Sequence, residues 1–371
     1  MSNNKIVFLT SNTSWYLYNF RRSTIVSLIE RGYQPVCLAP LDDYSEKLVT
    51  LGAQFVALGV DGKSTDPFKE LFVFFKTIKI LKNFKPDFVF NFTIKMNIYV
   101  GLCCALLRIP FANNVSGLGT AFLHKGIAYS LAKRLYGLSN HFAKAVFFQN
   151  DEDRNLLVKL GLVKKENTIL LPGSGVDVLE YQYEKLCQDN QTRTFLMIAR
   201  VIADKGVREY IEAANAVQKK FPNTRFILVG DWNISNKSAF DEQTINDWQQ
   251  NSSVEFLGHQ NNVRSWIYKS DVLVLPSYRE GMPRTVLEAA SCGRPAIVTD
   301  VPGCRHAIIE GATGWLCEVR SSESLAAKMK ETLLMSTDEL EEFGKRARKN
   351  IEDNFSDVLV VNACIKVLNG I

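Results

Sequence analysis

Short apolar segments alternate with longer amphipathic segments along most of this chain. The apolar segments have the length and the β-branched or aromatic content of buried strands, and amphipathic helices are predicted at 18–31, 67–84 and 126–142. This order is typical of βα units on a parallel sheet. The predicted strands are 5–11, 34–40, 54–60, 87–92, 110–115 and 145–150, followed by 194–200, 224–230, 254–258, 271–277 and 295–300.

The strand pattern stops and restarts once, which indicates two domains. A proline and two glycines in residues 170–184 mark a linker between the two sets of strands. A length of 371 residues is also long for a single core. We therefore expect two Rossmann-like, doubly wound α/β domains that face each other across a cleft. The first covers residues 1–173 and is completed by a C-terminal helix at 355–371, and the second covers 174–354.

The composition excludes several classes of protein. Apolar residues make up 46% and charged residues 22% of the chain, as in soluble globular proteins. No apolar run reaches the ~20 residues of a membrane span, and no leader peptide is expected before the first strand. The eight cysteines and four histidines show no metal-ligand spacing. We therefore expect buried thiols in a reducing cytoplasm and no zinc site.

The two halves of the chain differ in charge, which bears on the partner. Residues 1–175 hold 21 Lys and Arg against 12 Asp and Glu, whereas the remainder holds 23 against 27. A basic first half suggests an anionic partner. Segments 68–85 and 124–145 interleave basic residues with aromatic and aliphatic ones. This pattern fits either a helix lying on an anionic membrane or a helix that covers the sheet and exposes a solvated lysine face.

Two glutamates flank a short turn in the second half. Glu280 follows the predicted strand 271–277, and Glu288 lies two turns inside a helix that begins near Pro283. The carboxyl end of a parallel strand and the N–H groups of a helix N-terminus together form a site suited to anionic ligands. The alternative is that both glutamates are solvated surface residues.

A pair of cations lies at a second strand end. Arg200 ends the predicted strand 194–200, and Lys205 precedes a helix expected to begin near Val207. Two fixed cations beside helix N–H groups suit a diphosphate, because arginine offers a planar fork and lysine a point charge. Taken alone, such residues are more often ordinary surface charges.

Three motifs together resemble the retaining family 4 glycosyltransferases of the GT-B fold. They are the Arg-x4-Lys-Gly of 200–206, the Glu-x7-Glu of 280–288 and the turn VPGCRH at 301–306. The resemblance extends over most of the chain and rests on the order and spacing of the motifs. It implies a hexosyltransferase whose first domain binds an acceptor and whose second domain binds a nucleotide sugar.

The resemblance also implies roles for single residues. Glu280 would contact hydroxyls of the transferred sugar, and Glu288 would take the ribose hydroxyls of a UDP-sugar. Arg200 and Lys205 would hold the leaving diphosphate in place of a divalent metal, so no metal and no other cofactor is expected. The Asp-x-Asp at 151–153 is expected to begin a helix. The catalytic set is thus Glu280, Arg200 and Lys205, and the donor-binding set is Arg200, Lys205, Gly281, Met282, Pro283, Arg284, Thr285 and Glu288.

The first domain is expected to bind the acceptor. Segment 10–23 could hold a sugar and a diphosphate, or it could be a helix start whose aromatic side chains pack inward. Many members of the resembled family have a histidine near the end of the predicted strand 110–115. Here Ser116 precedes the turn and His124 lies too far along, so no side-chain base carries over, and the leaving phosphate can act as the base. The expected acceptor-binding residues are Tyr18, Arg21, Ser116, Gly117 and Gly119.

The segments SWYLYNFRRS and SGLGTAF look like those of bacterial enzymes that extend undecaprenyl-diphosphate-linked sugars, among them N-acetylgalactosaminyltransferases. This likeness implies transfer of a hexose or N-acetylhexosamine in capsule, O-antigen or other glycan assembly. The expected partners are a nucleotide-sugar donor, a lipid-linked saccharide acceptor and an anionic membrane surface, with no nucleic acid. The expected location is cytoplasmic, peripherally associated with the inner face of the cytoplasmic membrane.

Other functions remain open at this point. A sugar-nucleotide epimerase on the same fold would use acids and histidines around the sugar, and the chain is poor in histidine. A non-catalytic carbohydrate-binding protein would not need both diphosphate cations and a ribose carboxylate. A nicotinamide-dependent dehydrogenase is disfavoured, because no Gly-x-Gly-x-x-Gly follows a predicted strand.

Overall fold

The structure, a computed structural model, describes five segments of the chain. In the helical residues 67–70 and 127–129 it describes the backbone alone. The five segments are 5–59, 67–117, 127–187, 192–234 and 236–370.

The chain divides into two compact units. One consists of Met1–Gly175 together with Asp357–Ile371, and the other is Val176–Ser356. The divisions lie within two residues of the predicted domain boundaries. The second unit is therefore one continuous segment, whereas the first combines the two ends of the chain.

The first unit is built on parallel strands whose order reverses once. The strands are β1 (Ile6–Thr10), β2 (Gln34–Ala39), β3 (Gln54–Ala57), β4 (Phe88–Phe92), β5 (Phe111–Val115), β6 (Ala145–Phe148) and β7 (Thr168–Leu170). They form one sheet in the order β3-β2-β1-β4-β5-β6-β7. The order reverses between β1 and β4, and doubly wound folds bind ligands at the carboxyl ends of the strands beside such a switch point.

Helices cover both faces of this sheet. They are α1 (Ser14–Glu30), α2 (Ser45–Thr50), α3 (Pro67–Phe84), α4 (Ile94–Leu107), α5 (Ile127–Phe142) and α6 (Asp151–Lys159). Phe8 belongs to the core under α3, α4 and α5, whereas its neighbours Val7 and Leu9 belong to the core under α1. This alternation is the period of two that a strand buried on both faces requires.

The second unit repeats the plan with a smaller sheet. Its strands are β8 (Arg193–Ile198), β9 (Thr224–Val229), β10 (Val254–Gly258), β11 (Val272–Leu275), β12 (Ala296–Thr299) and β13 (Gly314–Cys317). Its helices are α7 (Val207–Gln218), α8 (Glu242–Asn251), α9 (Val263–Tyr268), α10 (Arg284–Ser291), α11 (Ser322–Leu333) and α12 (Thr337–Asn354). The strand order is β10-β9-β8-β11-β12-β13, with its switch point between β8 and β11.

The chain then returns to the first unit as α13 (Asp357–Asn369). Cys364 of this helix lies in the core beneath α1, and the Ser23 hydroxyl donates a hydrogen bond to Asp357. The two ends of the second unit lie side by side, because the Val176 N–H donates to the Phe355 carbonyl at 3.0 Å. Within the described segments, no helix combines the length and the apolar character needed to cross a bilayer.

The predicted fold class is confirmed. Each predicted strand is present, with its bounds shifted by a few residues at most. The pattern does not predict β7 and β13, which have only 3 and 4 residues. The three residues of β7 are too few to show a periodicity, and β13 contains a glycine and no β-branched residue, which weakens the strand signal.

Candidate active site

Three loops of the second unit meet at the carboxyl ends of β8, β11 and β12. Two backbone hydrogen bonds join them: the Tyr278 N–H donates to the Asp204 carbonyl at 2.9 Å, and the Glu280 N–H donates to the Pro302 carbonyl at 3.3 Å. The loops after β8 and β11 flank the switch point of the sheet. The three sequence motifs, one in each loop, thus lie side by side.

Two glycines allow the loops to pack this closely. At Gly206, with φ +72°, a Cβ atom would lie 2.1 Å from the Pro276 carbonyl oxygen. At Gly303, with φ +84°, a Cβ atom would lie 2.4 Å from the Glu280 carbonyl oxygen. The left-handed backbone and the contact each disfavour any other residue. The glycines of the first and third motifs therefore have a packing role.

Lys205 and Glu280 form an ion pair between these loops. The Lys205 ammonium donates to Oε1 of Glu280, and the hydroxyl of the buried Ser277 donates to the same oxygen at 2.8 Å. The side chains are 20% and 14% exposed, respectively, so a ligand can reach both. Each group neutralises the charge of the other. The site therefore presents an ammonium group and a carboxylate side by side at its surface.

Glu288 is held by Arg284 and lies beside Tyr181. Its side chain is 7% exposed, and Nε of Arg284 donates to its Oε1 at 2.6 Å. Tyr181, in the predicted linker, lies near the same carboxylate. Burial and the nearby Glu288 charge raise the pKa of Tyr181, so it remains a neutral donor. The Tyr181 carbonyl in turn accepts from Nη1 of Arg348 at 2.7 Å, which fixes the tyrosine in place.

The helix N-termini at this site differ from those elsewhere in the unit. The N-cap residues of α7 and α10, Gly206 and Pro283, make no side-chain capping hydrogen bond. The other four helices of the unit are each capped by the side chain of a polar N-cap residue: Asp241, Asn262, Ser321 and Ser336. Uncapped helix N-termini favour anionic groups. The two that lack caps both begin in the loops that hold Lys205 and Glu280.

Arg200 lies in the first of these loops, but its side chain is exposed. It makes no ion pair within the part of the chain that the structure describes. The structure therefore brings Lys205 and Glu280 together and leaves Arg200 as a nearby solvated cation.

Met282, in the loop before α10, is partly buried and packs against the core of the unit.

A tyrosine next to Ser277 fixes the loop after β11. The Tyr278 hydroxyl donates to Oε1 of the buried Glu209 in α7 at 2.7 Å. Burial first, and then this carboxylate, raise the pKa of Tyr278 to about 12. The hydroxyl therefore remains protonated and donating across the physiological range. Together with the backbone bond to Asp204, this contact ties the loop to the start of α7.

Comparison with known proteins decides the family. Residues 5–150 match the family described as "Glycosyl transferase 4-like", and residues 182–350 match "Glycosyl transferases group 1". The chain is 31% identical over 353 residues to "N,N'-diacetylbacillosaminyl-diphospho-undecaprenol alpha-1,3-N-acetylgalactosaminyltransferase" of Campylobacter jejuni, with 91% of this chain and 90% of the relative covered. The chain belongs to the family 4-like glycosyltransferases.

Further relatives of this glycosyltransferase agree with the assignment. It is 26% identical over 294 residues to "UDP-Gal:alpha-D-GlcNAc-diphosphoundecaprenol alpha-1,3-galactosyltransferase" of Escherichia coli, which covers 76% of this chain and 74% of that protein. The crystal structure of Anabaena HepE in complex with UDP and glucose has a TM-score of 0.80 at 16% identity, covering 99% of this chain and 100% of that one. The resemblance stated from the motifs is confirmed, whereas the roles of single residues stay predictions.

The predicted acceptor-binding residues of the glycosyltransferase differ from one another in burial and in the side chains that they contact. The Tyr18 ring packs against Tyr44, with ring centroids 5.6 Å apart. The Arg21 guanidinium lies 4.4 Å from the ring centroid of Phe92 and is buried. The half-buried Ser116 and Gly117 follow β5, and Gly119 lies outside the described residues. Their shared role in acceptor binding stays a prediction.

The sequence patterns missed Ser277 and Tyr181. A serine that ends an apolar run, three residues before Glu280, offered a signal for the first. Nothing in the sequence around Tyr181 points to Glu288, because their contact depends on how the linker packs against α10 and α12. Ser277 donates a hydrogen bond to Glu280, and Tyr181 lies beside Glu288.

The metal prediction concerns α6 and the cysteines. The Asp-x-Asp segment begins α6 as predicted, because Asn150 caps the helix by accepting from the Asp153 N–H at 2.8 Å. Across the described segments, no group of three or more His, Cys, Asp or Glu side chains is arranged to hold a metal. Seven of the eight cysteines are buried, and Cys187 is exposed. Metal independence of the reaction stays a prediction.

Proposed function

We propose that this glycosyltransferase moves a hexose or N-acetylhexosamine, with retention of configuration, from a UDP-sugar to a saccharide linked to polyprenyl diphosphate. The observation that carries the proposal is the Lys205–Glu280 pair beside two uncapped helix N-termini at the switch point. A cation, a carboxylate and helix N–H groups in one place suit a diphosphate joined to a sugar. The names of the Campylobacter jejuni and Escherichia coli relatives, both of which include a diphosphoundecaprenol saccharide, support the acceptor class.

Donor binding exchanges the partners of Lys205. The donor diphosphate competes with Glu280 for the ammonium group, while Arg200 supplies a second cation from the same loop. Glu280 then loses its counter-ion but keeps the hydrogen bond from Ser277, and its carboxylate can accept hydroxyl groups of the transferred sugar. Lys205 and the N–H groups of α7 and α10 stabilise the charge that develops on the leaving diphosphate.

Glu288 suits a ribose ring. A carboxylate can accept two neighbouring hydroxyl donors at once, and Arg284 holds this carboxylate in one orientation. Because little of the Glu288 side chain is exposed, its contacts with a ligand form in a partly dehydrated environment, where hydrogen bonds are stronger than in water.

No side-chain base is part of this proposal. An oxygen of the leaving phosphate can accept the proton of the attacking hydroxyl on the same face of the sugar, which is consistent with retention. Because Lys205, Arg200 and helix N–H groups supply positive potential, no divalent metal is required. The protein therefore needs to hold the phosphate and the acceptor hydroxyl close together.

The test is a transfer assay with purified protein. A panel of UDP-sugars is incubated with short-chain prenyl-diphosphate-linked saccharides, in the presence of EDTA, and UDP release is measured with and without acceptor. We expect acceptor-dependent UDP release and a product whose anomeric proton coupling shows retention. Formation of an epimeric UDP-sugar without acceptor would establish the epimerase instead, and binding without UDP release would indicate a carbohydrate-binding protein.

We further propose that the first unit contacts an anionic membrane through α3 and α5. Phe72, Phe75, Lys79 and Lys82 share one helical stripe of α3, and Leu131, Arg134, Leu138 and Phe142 share one of α5. All of these side chains are exposed, with Phe72 at 70% and Leu131 at 57%. Exposed aromatic and aliphatic residues next to basic ones suit a membrane interface. Lys125, in the basic segment 124–145, lies outside the described residues.

Charge removal tests this contact. Lys79, Lys82, Arg134 and Lys144 are all exposed, and each basic residue near an anionic bilayer contributes about 1 kcal/mol. We expect the quadruple glutamine variant to bind phosphatidylserine vesicles at least ~10-fold more weakly at moderate salt, in a sedimentation assay. The matched control replaces the exposed Lys185, Lys219, Lys220 and Lys237 of the second unit. Equal sedimentation of the two variants would show that α3 and α5 only expose solvated faces.

A further inference from the structure

Glu209 lies at a position of α7 from which a glutamate can cap its own helix. It is the third helical residue after the N-cap residue Gly206, and a glutamate there can turn back to the N-terminal N–H groups. The equivalent residue of α12 does so, because Oε2 of Glu339 accepts from the Ser336 N–H at 2.8 Å. Among the described residues, Glu209 instead accepts its one side-chain hydrogen bond from Tyr278.

The hydroxyl of Tyr278 fixes where this carboxylate lies. It donates to Oε1 of Glu209 at 2.7 Å, and Oε2, which is buried, has no hydrogen-bond partner in the part of the chain that the structure describes. Tyr278 is itself fixed, because its backbone N–H donates to the Asp204 carbonyl at 2.9 Å and the Arg320 guanidinium lies 4.7 Å from its ring centroid. The tyrosine can therefore hold Glu209 in one orientation.

This arrangement leaves the first N–H groups of α7 open. The first hydrogen bond of the helix runs from the Tyr210 N–H to the Gly206 carbonyl at 3.0 Å, so the N–H groups of residues 207–209 precede the helical ladder. The Gly206 N–H donates to the Ala203 carbonyl at 2.9 Å, and glycine has no side chain that could cap the others. A carboxylate released in the first turn would be attracted to these open groups by the helix dipole.

We propose that Tyr278 is a positioning residue that holds Glu209 away from the N-terminus of α7 and so leaves its N–H groups to the donor diphosphate. The identity of this ligand rests on the proposed function. Without the hydroxyl, Glu209 would compete with the diphosphate for the same N–H groups and would repel its charge. In this role Tyr278 acts through Glu209 and need not contact the ligand itself.

The test is a double-mutant cycle for UDP affinity, measured by calorimetry with the full chain. We expect Tyr278→Phe to weaken UDP binding by at least ~10-fold, because the released carboxylate occupies the N–H groups that bind phosphate. Adding Glu209→Gln to Tyr278→Phe should restore the affinity to within ~2-fold of the unchanged protein, because the neutral amide does not repel phosphate. Glu209→Gln alone completes the cycle. If the contact only stabilised the fold, the second substitution would restore nothing.

Uridine separates the diphosphate from the nucleoside. Tyr278→Phe is expected to change uridine affinity by less than ~2-fold, because uridine has no diphosphate for Glu209 to displace. The matched control is Tyr268→Phe, which removes the hydroxyl of another half-buried tyrosine, one that donates to the Gln182 carbonyl at 3.0 Å near the amino end of β11. It should change UDP affinity by less than ~2-fold. Equal losses of uridine and UDP affinity in Tyr278→Phe would overturn the proposal.

A second pair of variants covers the case in which Tyr278→Phe does not fold, which thermal melting will show. Glu209→Asp keeps the charge in the first turn of α7 on a side chain too short to reach the Tyr278 hydroxyl, so UDP should bind about 10-fold more weakly. Glu209→Asn shortens the side chain equally but carries no charge, and it should bind UDP more tightly than Glu209→Asp. Equal UDP affinity in these two variants would refute the role given to Tyr278.

The outcome can be separated from that of the proposed function. If the unchanged protein does not bind UDP, the donor class is wrong, and the role of Tyr278 falls with it. If UDP binds and Tyr278→Phe leaves its affinity unaltered, the role of Tyr278 alone is wrong. A loss of UDP affinity that Glu209→Gln does not reverse would likewise contradict a role through Glu209.

Discussion

Replacing Lys205 with alanine is expected to lower the turnover of the UDP-sugar by roughly a hundredfold to a thousandfold, the usual effect of losing one donor to developing negative charge. The structure supplies the reason, because Lys205 directly precedes the uncapped N-terminus of α7 and pairs with Glu280 in the loop before α10. Its loss also leaves Glu280 with Ser277 as its remaining hydrogen-bond donor in this site. Initial rates of UDP release at saturating donor measure the effect.

The matched control for this variant is Lys219→Ala. Lys219 is exposed at the C-terminal end of α7, whereas Lys205 precedes the N-terminal end, so the change removes the same charge from the opposite end of the helix. We expect its turnover to be that of the unchanged protein. If Lys205→Ala retains more than about half of the turnover, the leaving diphosphate is stabilised elsewhere and the role given to Lys205 is wrong.

Replacing Glu288 and replacing Glu280 are expected to affect different steps, UDP binding in the first case and sugar transfer in the second. Glu288→Gln should weaken the binding of UDP itself by at least ~10-fold, because the ribose contact exists in donor and product alike. Glu280→Gln should leave UDP affinity unchanged or slightly stronger, because Lys205 no longer has a carboxylate that competes with the diphosphate. The same variant should lower transfer by roughly a hundredfold, because the sugar hydroxyls lose their acceptor.

Calorimetry with UDP and a transfer assay distinguish these results. The control is Glu242→Gln, an exposed glutamate in the first turn of α8. A loss of UDP affinity in Glu280→Gln, with normal affinity in Glu288→Gln, would mean that the two roles are exchanged.

The sequence predicted those parts of the fold that depend on local pattern. Long buried strands such as β1 and β9 carry enough apolar positions to be recognised, and the glycine and proline of the linker mark the division between the units. The same pattern cannot show the contacts of β7, which pairs with β6 through three residues. Such a strand forms because its neighbour offers unpaired backbone groups, and its own sequence has little influence.

The candidate site was predictable where its residues lie in motifs. Lys205 and Glu280 could be inferred from their positions at strand ends, but their ion pair could not, because it depends on how closely two loops pack around Gly206 and Gly303. The burial of Arg21 against Phe92 could not be foreseen either, since the sequence shows a cation but not its surroundings. Pairing between distant residues is a tertiary property, and one sequence contains no direct record of it.

The side-by-side ends of the second unit bear on how this protein was assembled. The chain leaves the first unit after Gly175 and re-enters it at Asp357, and Val176 bonds to Phe355 where the two crossings meet. In genetic terms, the second unit has the arrangement of an insertion into the first. Such a module can be exchanged as a cassette, because both of its junctions occupy one place and the host core, closed by α13, need not be rebuilt. If the second unit binds the donor, as proposed, a change of donor preference by recombination would leave the first unit intact.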